Sequence, residues 1–194
     1  MTAPAGADGL RRCDWAYSAP EYIAYHDTEW GRPVHGDDAV YERMVLEAFQ
    51  SGLSFITILR KRPAFREAFA SFSIEAVAEF NEADVERLMS DAGIVRNRAK
   101  VEAAIANARA AVALPEGVSE LIWSFAPARH GVHRPAPKAV GDLPGFTAES
   151  TAMAKELKRR GFRFIGPTTA YAHMQATGMV NDHLASCHAR KLTV

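Results

Sequence analysis

The chain has 194 residues, 48% of them hydrophobic, enough to bury a sizeable core in one domain or two small lobes. Lys and Arg total 23, and so do Asp and Glu, so net charge neither demands nor excludes a nucleic-acid partner. No apolar run approaches a membrane span, no leader-type apolar stretch follows Met1, and two cysteines permit at most one disulfide, which excludes a disulfide-built scaffold and leads us to expect a soluble, cytoplasmic protein.

Residues 1–10 are small and flexible in composition, and we expect a frayed tail ahead of a domain over 11–194. Asp37 or Asp38 can cap a helix running to about Ser51, with Gly52 past its end. Val40, Tyr41, Met44, Val45, Ala48 and Phe49 form its apolar stripe at helical spacing. Ser54 opens a short helix over 54–59, and Pro63 suits the first position of a separate helix over 64–69. Ser73 can cap a helix over 74–80. Asn81, with Asp84 three residues on, reads as a capping box for a helix ending near Asp91. An Ala-rich helix is predicted over 97–112. Residues 126–147 hold four prolines and three glycines and read as a connector. Helices over 148–160, 169–177 and 182–188 follow, the last capped by Asn181. No sustained alternation marks a strand. The expected fold class is all-α, as one domain or as two helical lobes with a hairpin lobe at about 37–125.

Four residues suggest a metal. Cys13 and His26 stand at C-x12-H spacing, and His183 and Cys187 at H-x3-C. On a helix the second pair would share one face, one turn apart. Imidazole and thiolate together suit zinc. Four protein ligands would close its shell and leave no position for water, so such a zinc would be structural and would tie the N-terminal segment to the C-terminal one. The same cysteines could instead be small buried hydrophobes. His188 is the best substitute ligand, while His35, His130, His133 and His173 have no such pairing.

The stretch from Leu88 to Lys100 has the layout of a helix-hairpin-helix. A helix ends, Gly93 can take a left-handed turn, an aliphatic follows, and a second helix opens with cations. Backbone N–H groups of such a turn can hold a DNA phosphate. Gly93, Val95, Arg96, Arg98 and Lys100 are the candidate phosphate contacts, although Val95 stands where a second glycine is usual. An ordinary αα-hairpin shares the layout. The basic runs around 60–62, 96–100 and 155–160 fit solvated helix faces as well as phosphate contacts.

Trp15, Tyr17, Tyr22, Tyr25 and Trp30 make the N-terminal stretch aromatic. Such rings can wall a slot for a planar base or simply fill a core. Glu47 lies at the edge of its helix's apolar stripe. It can snorkel to solvent or, if buried near aromatics, favour a cationic ligand.

These residues fall in longer segments: Arg12-Cys13-Asp14-Trp15, the run YIAYHDTEWG from Tyr22 to Gly31, Leu46-Glu47, Gln50-Ser51-Gly52-Leu53-Ser54, Asp91-Ala92-Gly93-Ile94, Gly161-Phe162-Arg163-Phe164-Ile165-Gly166, and Met174-Gln175 leading to Val180-Asn181-Asp182-His183. Through them the chain resembles the 3-methyladenine DNA glycosylase I family, the constitutive bacterial type, over about residues 11–188. The resemblance implies an all-helical helix-hairpin-helix glycosylase fold. It also implies one structural Zn2+ on Cys13, His26, His183 and Cys187. Glu47 and Tyr25 would hydrogen-bond the base, with Tyr22 and the aromatic at position 55 lining the pocket, and Trp30 joins them as a candidate. Position 55 is Phe where Trp is expected. The family lacks the catalytic Asp and the Schiff-base Lys of other glycosylases of this fold, so the implied reaction is monofunctional. N3-methylated adenine is cationic and already a good leaving group, which lets extrusion, stacking and cation selection carry much of the task. The expected partner is double-stranded DNA containing alkylated bases, met by a monomer. The alternative is a non-catalytic, zinc-stabilised DNA-binding or adaptor module. A catalytic zinc hydrolase would want an open metal position that two Cys and two His do not leave.

Overall fold

The computed structural model describes residues 5–127 and 135–192. Residues 1–4 of the expected tail and 128–134 of the connector, with His130 and His133, lie outside them. Among the described residues there are nine α-helices, four short 3-10 turns and no strand, only an isolated bridge between Ala5 and Arg11. The all-α expectation holds.

Helix α2 (Asp37–Gln50) organises the rest. Eight of its 14 residues are buried, and a helix apolar on most sides must be surrounded. Around it pack α3 (Phe55–Ala68), α4 (Ile74–Ala78), α6 (Arg98–Val112), α7 (Val118–Trp123) and α9 (Pro167–Ala176). The Tyr41 hydroxyl donates to the Ala104 carbonyl at 2.8 Å and ties α2 to α6. Helix α1 (Pro20–Thr28) lies against α3, α5 (Glu82–Ser90) against α6, and α8 (Ala148–Arg159) against α9. The main core runs from Val40 to Val180. A second, smaller cluster joins Cys13, Leu184, Cys187 and Ala189, with Trp15 and Trp30 packed on it.

Several local signals act as read. Asn81 and Asp84 form the reciprocal capping box of α5, and Asn97 caps α6 by accepting from the Lys100 amide. Other expectations need correction. The two helices separated at Pro63 are one continuous helix, α3. Proline removes one helical hydrogen bond. Here its ring is exposed, while buried Leu59 and Phe65 on either side hold both halves in the core. Helices α1 and α7 were not predicted. The predicted helix over 182–188 does not form. Turns precede a 3-10 segment, His188–Leu192, because the backbone there is cross-tied. Ala185 N–H donates to Pro137 O at 2.7 Å, and Arg190 donates to the carbonyls of Asn181 and His183 at 3.0 and 2.6 Å.

Two turns carry left-handed backbone on non-glycine residues. Ala70, Ser71 and Phe72 have φ of 51°, 54° and 61°, a conformation costing roughly 1 kcal/mol or more per residue. Complete burial of Phe69 and Phe72, their rings parallel at 5.7 Å, offsets that cost. Phe164, between α8 and α9, has φ 59°. Its neighbour Arg163 is pinned by buried Asn107 of α6, whose side chain accepts from Arg163 N–H at 2.7 Å and donates to Arg163 O at 3.1 Å. At Gly178 glycine is obligatory. Its φ is 72°, and a Cβ there would lie 2.6 Å from Arg32 C and 2.7 Å from Gly31 O. That contact seats the chain after α1 against the end of α9.

Asn107→Leu should leave the Arg163 amide and carbonyl unpaired and cost about 1–3 kcal/mol. Urea unfolding checks this, and an unchanged midpoint would show that the α8–α9 turn is held by packing alone.

Candidate active site and metal centre

The two Cys/His pairs meet. Sγ of Cys13 and Cys187, Nε2 of His26 and Nδ1 of His183 lie within 4.8 Å of one another, and all four residues are buried. A tetrahedral zinc with S at about 2.3 Å and N at about 2.0–2.1 Å would set sulfur and nitrogen about 3.5 Å apart. The observed separations are 3.3 Å (Cys187–His26), 3.6 Å (Cys187–His183) and 3.7 Å (Cys13–His183). The hydrogen bond between the two sulfurs, then burial, pushes the Cys13 thiol up, and the same bond pulls the Cys187 thiol down. The converging lone pairs suit a divalent cation with both sulfurs as thiolates. The outer ring nitrogens are also committed. His26 Nδ1 faces Asp27 Oδ1 at 2.8 Å, and His183 Nε2 faces the Trp30 carbonyl at 3.2 Å. Such partners fix the tautomers that leave the inner nitrogens free. Asp27 also accepts from Arg12 and faces His188 Nε2 at 3.0 Å. His188 therefore sits behind the group as an orienting neighbour and not as a substitute ligand. Sequence reasoning missed Asp27, whose position beside His26 was the available signal.

One aromatic layer away lies a cavity of about 360 Å³. Tyr22, Tyr25, Trp30, Glu47 and Phe55 all line it. The Tyr22 and Phe55 rings are parallel within 5° at 6.4 Å, and Tyr25 is tilted against Phe55 at 5.1 Å. Trp15 and Trp30, 5.1 Å apart, also face the cavity. Their outer sides meet the metal-ligand group, Trp15 on His26 at 5.3 Å and Trp30 on His183 at 4.7 Å. Ser18, Gln50, Ala172 and Gln175 also line it, as do Val140 and Leu143 of the connector. None of these six had been singled out as site residues. Val140 and Leu143 were hidden because nothing in a Pro/Gly-rich stretch says where it returns. A larger hollow of about 650 Å³ beside the start of α2 offers less chemistry. Its Asp37 and Asp38 are occupied by the amides of Ser119 and Ile74.

Glu47 is the distinctive group. It is 7% exposed, and its carboxyl makes no hydrogen bond within the described residues. Burial pushes it up to about 7, and Arg43, one turn earlier, opposes this only in part. Arg43 is already engaged by Glu29 at 2.7 Å, which Arg62 also holds. Burial and the nearby Glu47 push the Tyr25 phenol well above its ordinary range, so it stays an O–H donor. His173 of α9 is also buried, with neither ring nitrogen bonded, and burial pulls it down to about 3, leaving a neutral imidazole. An unbonded carboxyl and a phenol donor in an aromatic cavity can together hold a flat, positively charged ring with N–H groups at its edge.

A family model described as methyladenine glycosylase matches residues 15–191. The chain belongs to this family. It is 43% identical over 181 residues to DNA-3-methyladenine glycosylase 1 of Escherichia coli (strain K12), covering 92% of this chain and 96% of that protein. It is likewise 43% identical over 182 residues to DNA-3-methyladenine glycosylase of Haemophilus influenzae, covering 91% and 96%. The fold superposes on a crystal structure of 3-methyladenine DNA glycosylase I with a TM-score of 0.86, at 42% identity over 92% of this chain and 98% of that one. It also matches a structure on 3-methyladenine recognition by the Staphylococcus aureus enzyme, with a TM-score of 0.85, at 32% identity over 92% and 96%.

In this methyladenine glycosylase the hairpin between α5 and α6 departs from expectation in detail. Gly93 is not in the left-handed region. It is glycine because a Cβ would meet Ala64 Cβ at 2.9 Å, where the turn leans on α3. Its amide is taken by Asp91 Oδ1 at 2.7 Å, and Lys61 bonds the carbonyls of Ala92 and Gly93. The amides of Val95 and Arg96 donate to no partner within the described residues, and the Arg96 side chain is exposed and unpaired there. Arg98 is spent on Glu82 and Glu86. Lys100 is buried and points inward, donating to the carbonyls of Phe49 and Ser51 at 2.9 and 2.6 Å. It closes the end of α2, where orphan carbonyls need donors, and is a structural residue instead of a phosphate contact. No helix among the described residues is long and apolar enough to cross a membrane.

The Glu47 carboxyl yields a stability prediction. Its proton is held more tightly in the folded state than at the usual 4.5, so folding loses stability as pH rises from about 4.5 through 7. At 1.36 kcal/mol per unit the full cost is about 3 kcal/mol above pH 7. Glu47→Gln should therefore unfold at higher urea than the wild type at pH 8, with the difference disappearing below about pH 4.5. A variant less stable at pH 8 would show that Glu47 is solvated.

Proposed function

We propose that this protein hydrolyses the N-glycosidic bond of 3-methyladenine in double-stranded DNA, releases the free base and leaves an abasic site without cutting the strand. The observation that carries the reading is the buried, unbonded Glu47 carboxyl facing an aromatic cavity in a chain of the methyladenine glycosylase family. The N3-methylated nucleobase is a cation, and an ionised Glu47 gains from it charge attraction and charge-assisted hydrogen bonds that neutral adenine cannot offer. As the C1′–N9 bond breaks, its electron pair stays on N9, the base leaves neutral, the positive charge passes to the sugar, and a water oxygen bonds to C1′ as its proton is released to solvent. Tyr25 donates to the base, while Tyr22, Phe55 and Trp30 stack or abut its faces and exclude water. Backbone amides of Val95 and Arg96, with the Arg96 side chain, hold one phosphate and keep the duplex in register during extrusion. No lysine among the described residues lines the cavity, so no Schiff base forms and the reaction ends at hydrolysis.

Cys13, His26, His183 and Cys187 would hold one zinc. With all four positions filled by protein, the ion supplies folding energy and no chemistry. The protein acts as a monomer in the cytoplasm on alkylated duplex DNA. An adaptor reading would leave the unbonded carboxyl and the cavity without a purpose.

On methylated duplex DNA the wild type should release 3-methyladenine, and borohydride should trap no covalent adduct. Glu47→Gln should lose about 10- to 100-fold in kcat/KM, the scale of a hydrogen bond to a charged group. The wild-type kcat/KM should fall as pH drops through about 7, where the free carboxyl takes up its proton, and the variant's profile should be flat in that range. A Gln variant as active as wild type would assign base selection to shape and stacking.

Metal analysis after dialysis against a mild chelator should find one zinc per chain. Cys187→Ala should lose the metal and unfold at a lower temperature. A metal-free protein with unchanged melting would remove zinc from the account.

A further inference from the structure

The base cavity contains a second acceptor whose direction is fixed from behind. Gln175 of α9 lines the same cavity as Glu47 of α2, and the two helices pack together. Its Nε2 donates to Asp182 Oδ2 at 2.9 Å. The same Asp182 oxygen accepts from the Tyr171 hydroxyl at 2.5 Å, and Tyr171 and Asp182 are both buried. Turning the amide over would set Gln175 Oε1 against Asp182 Oδ2 with no hydrogen between them. The amide is thereby locked with its nitrogen on the Asp182 side, and Oε1 makes no hydrogen bond within the described residues. Gln50, whose amide also lines the cavity, has no such anchor within the described residues.

We infer that Gln175 is a specificity-determining residue whose Oε1 accepts one N–H of the 6-amino group of the base, alongside Glu47. This rests on the reading of the cavity as a site for a methylated adenine. The chemistry requires two acceptors. A 6-amino group presents two N–H donors, and desolvating it in a cavity leaves one unpaired unless a second acceptor is in place. A preset acceptor also repels a 6-keto group, so the same oxygen that satisfies an aminopurine penalises an oxopurine. Asp182 is a positioning residue, fixing which amide atom faces the base.

The test pairs a deletion on the ligand with one on the protein. Binding of free 3-methyladenine and of 3-methylpurine, which lacks the amino group, is measured by calorimetry for wild type, Gln175→Met and Gln50→Met. Release of 3-methyladenine from methylated DNA by the wild type is measured alongside. Wild type should prefer 3-methyladenine about 10-fold or more. Gln175→Met should cut that preference about 5- to 10-fold and leave 3-methylpurine affinity unchanged, while Gln50→Met keeps the preference. Equal weakening of both ligands, or none, in Gln175→Met overturns the inference, because the residue would then act by packing. If Gln175→Met fails to fold, Gln175→Asn, which retracts the oxygen by one methylene, should show the same selective loss, and retention of the preference there overturns the inference. A wild type indifferent to the amino group overturns it with no variant at all. Base release with an unmoved preference removes only Gln175, whereas no base release removes the glycosylase reading itself.

Discussion

A carboxyl with no hydrogen bond within the described residues sits on the helix around which five others pack, and much of the architecture serves to keep it there. Left alone, a chain would hydrate Glu47 or swing it to the surface. Here α2 cannot move to allow that. Tyr41 fixes it to α6, Lys100 closes its last carbonyls, and five helices press on its sides. Arg43, the cation one turn away, is held by Glu29, which Arg62 also holds, and offsets the burial only in part. The result is a local energetic cost borne by the rest of the core, which is the usual relation between a polar binding site and its scaffold.

The Cys/His group and the aromatic cavity share a wall. Trp15 and Trp30 present one side to the ligand histidines and the other to the cavity. The C-terminal segment reinforces the link, since Ala185, between His183 and Cys187, bonds Pro137 of the connector that also supplies Val140 and Leu143 to the cavity. The Cys/His group thus helps set the position of rings that line the cavity.

What could be read from the chain followed the range of the underlying physics. Capping boxes and apolar stripes are local, and Asn81–Asp84 and the face of α2 were legible for that reason. The four metal-group residues were legible because ligand chemistry restricts residue type so strongly. Pro63 misled because a breaker counts only where its surroundings cannot hold the helix together, and burial of Leu59 and Phe65 does hold it. The 182–188 segment misled because its backbone bonds go to distant partners, Pro137 and Arg190. Lys100 looked like a phosphate contact because charge is visible in sequence and direction is not. The Gln175–Asp182–Tyr171 relay was invisible for the same reason, since three ordinary polar residues acquire a role only through orientation.

Cys13 and His183 stand 170 residues apart in the chain yet face each other across 3.7 Å. With a metal ion bound to the four donor atoms, nearly the whole polypeptide would become a single loop closed outside the main core. A mechanical load on the two ends would then pass into the metal–ligand bonds before it reached α2 or the cavity. The helices would feel no pull until a ligand bond broke, so the clasp would act as a mechanical fuse between the ends of the chain and the cavity.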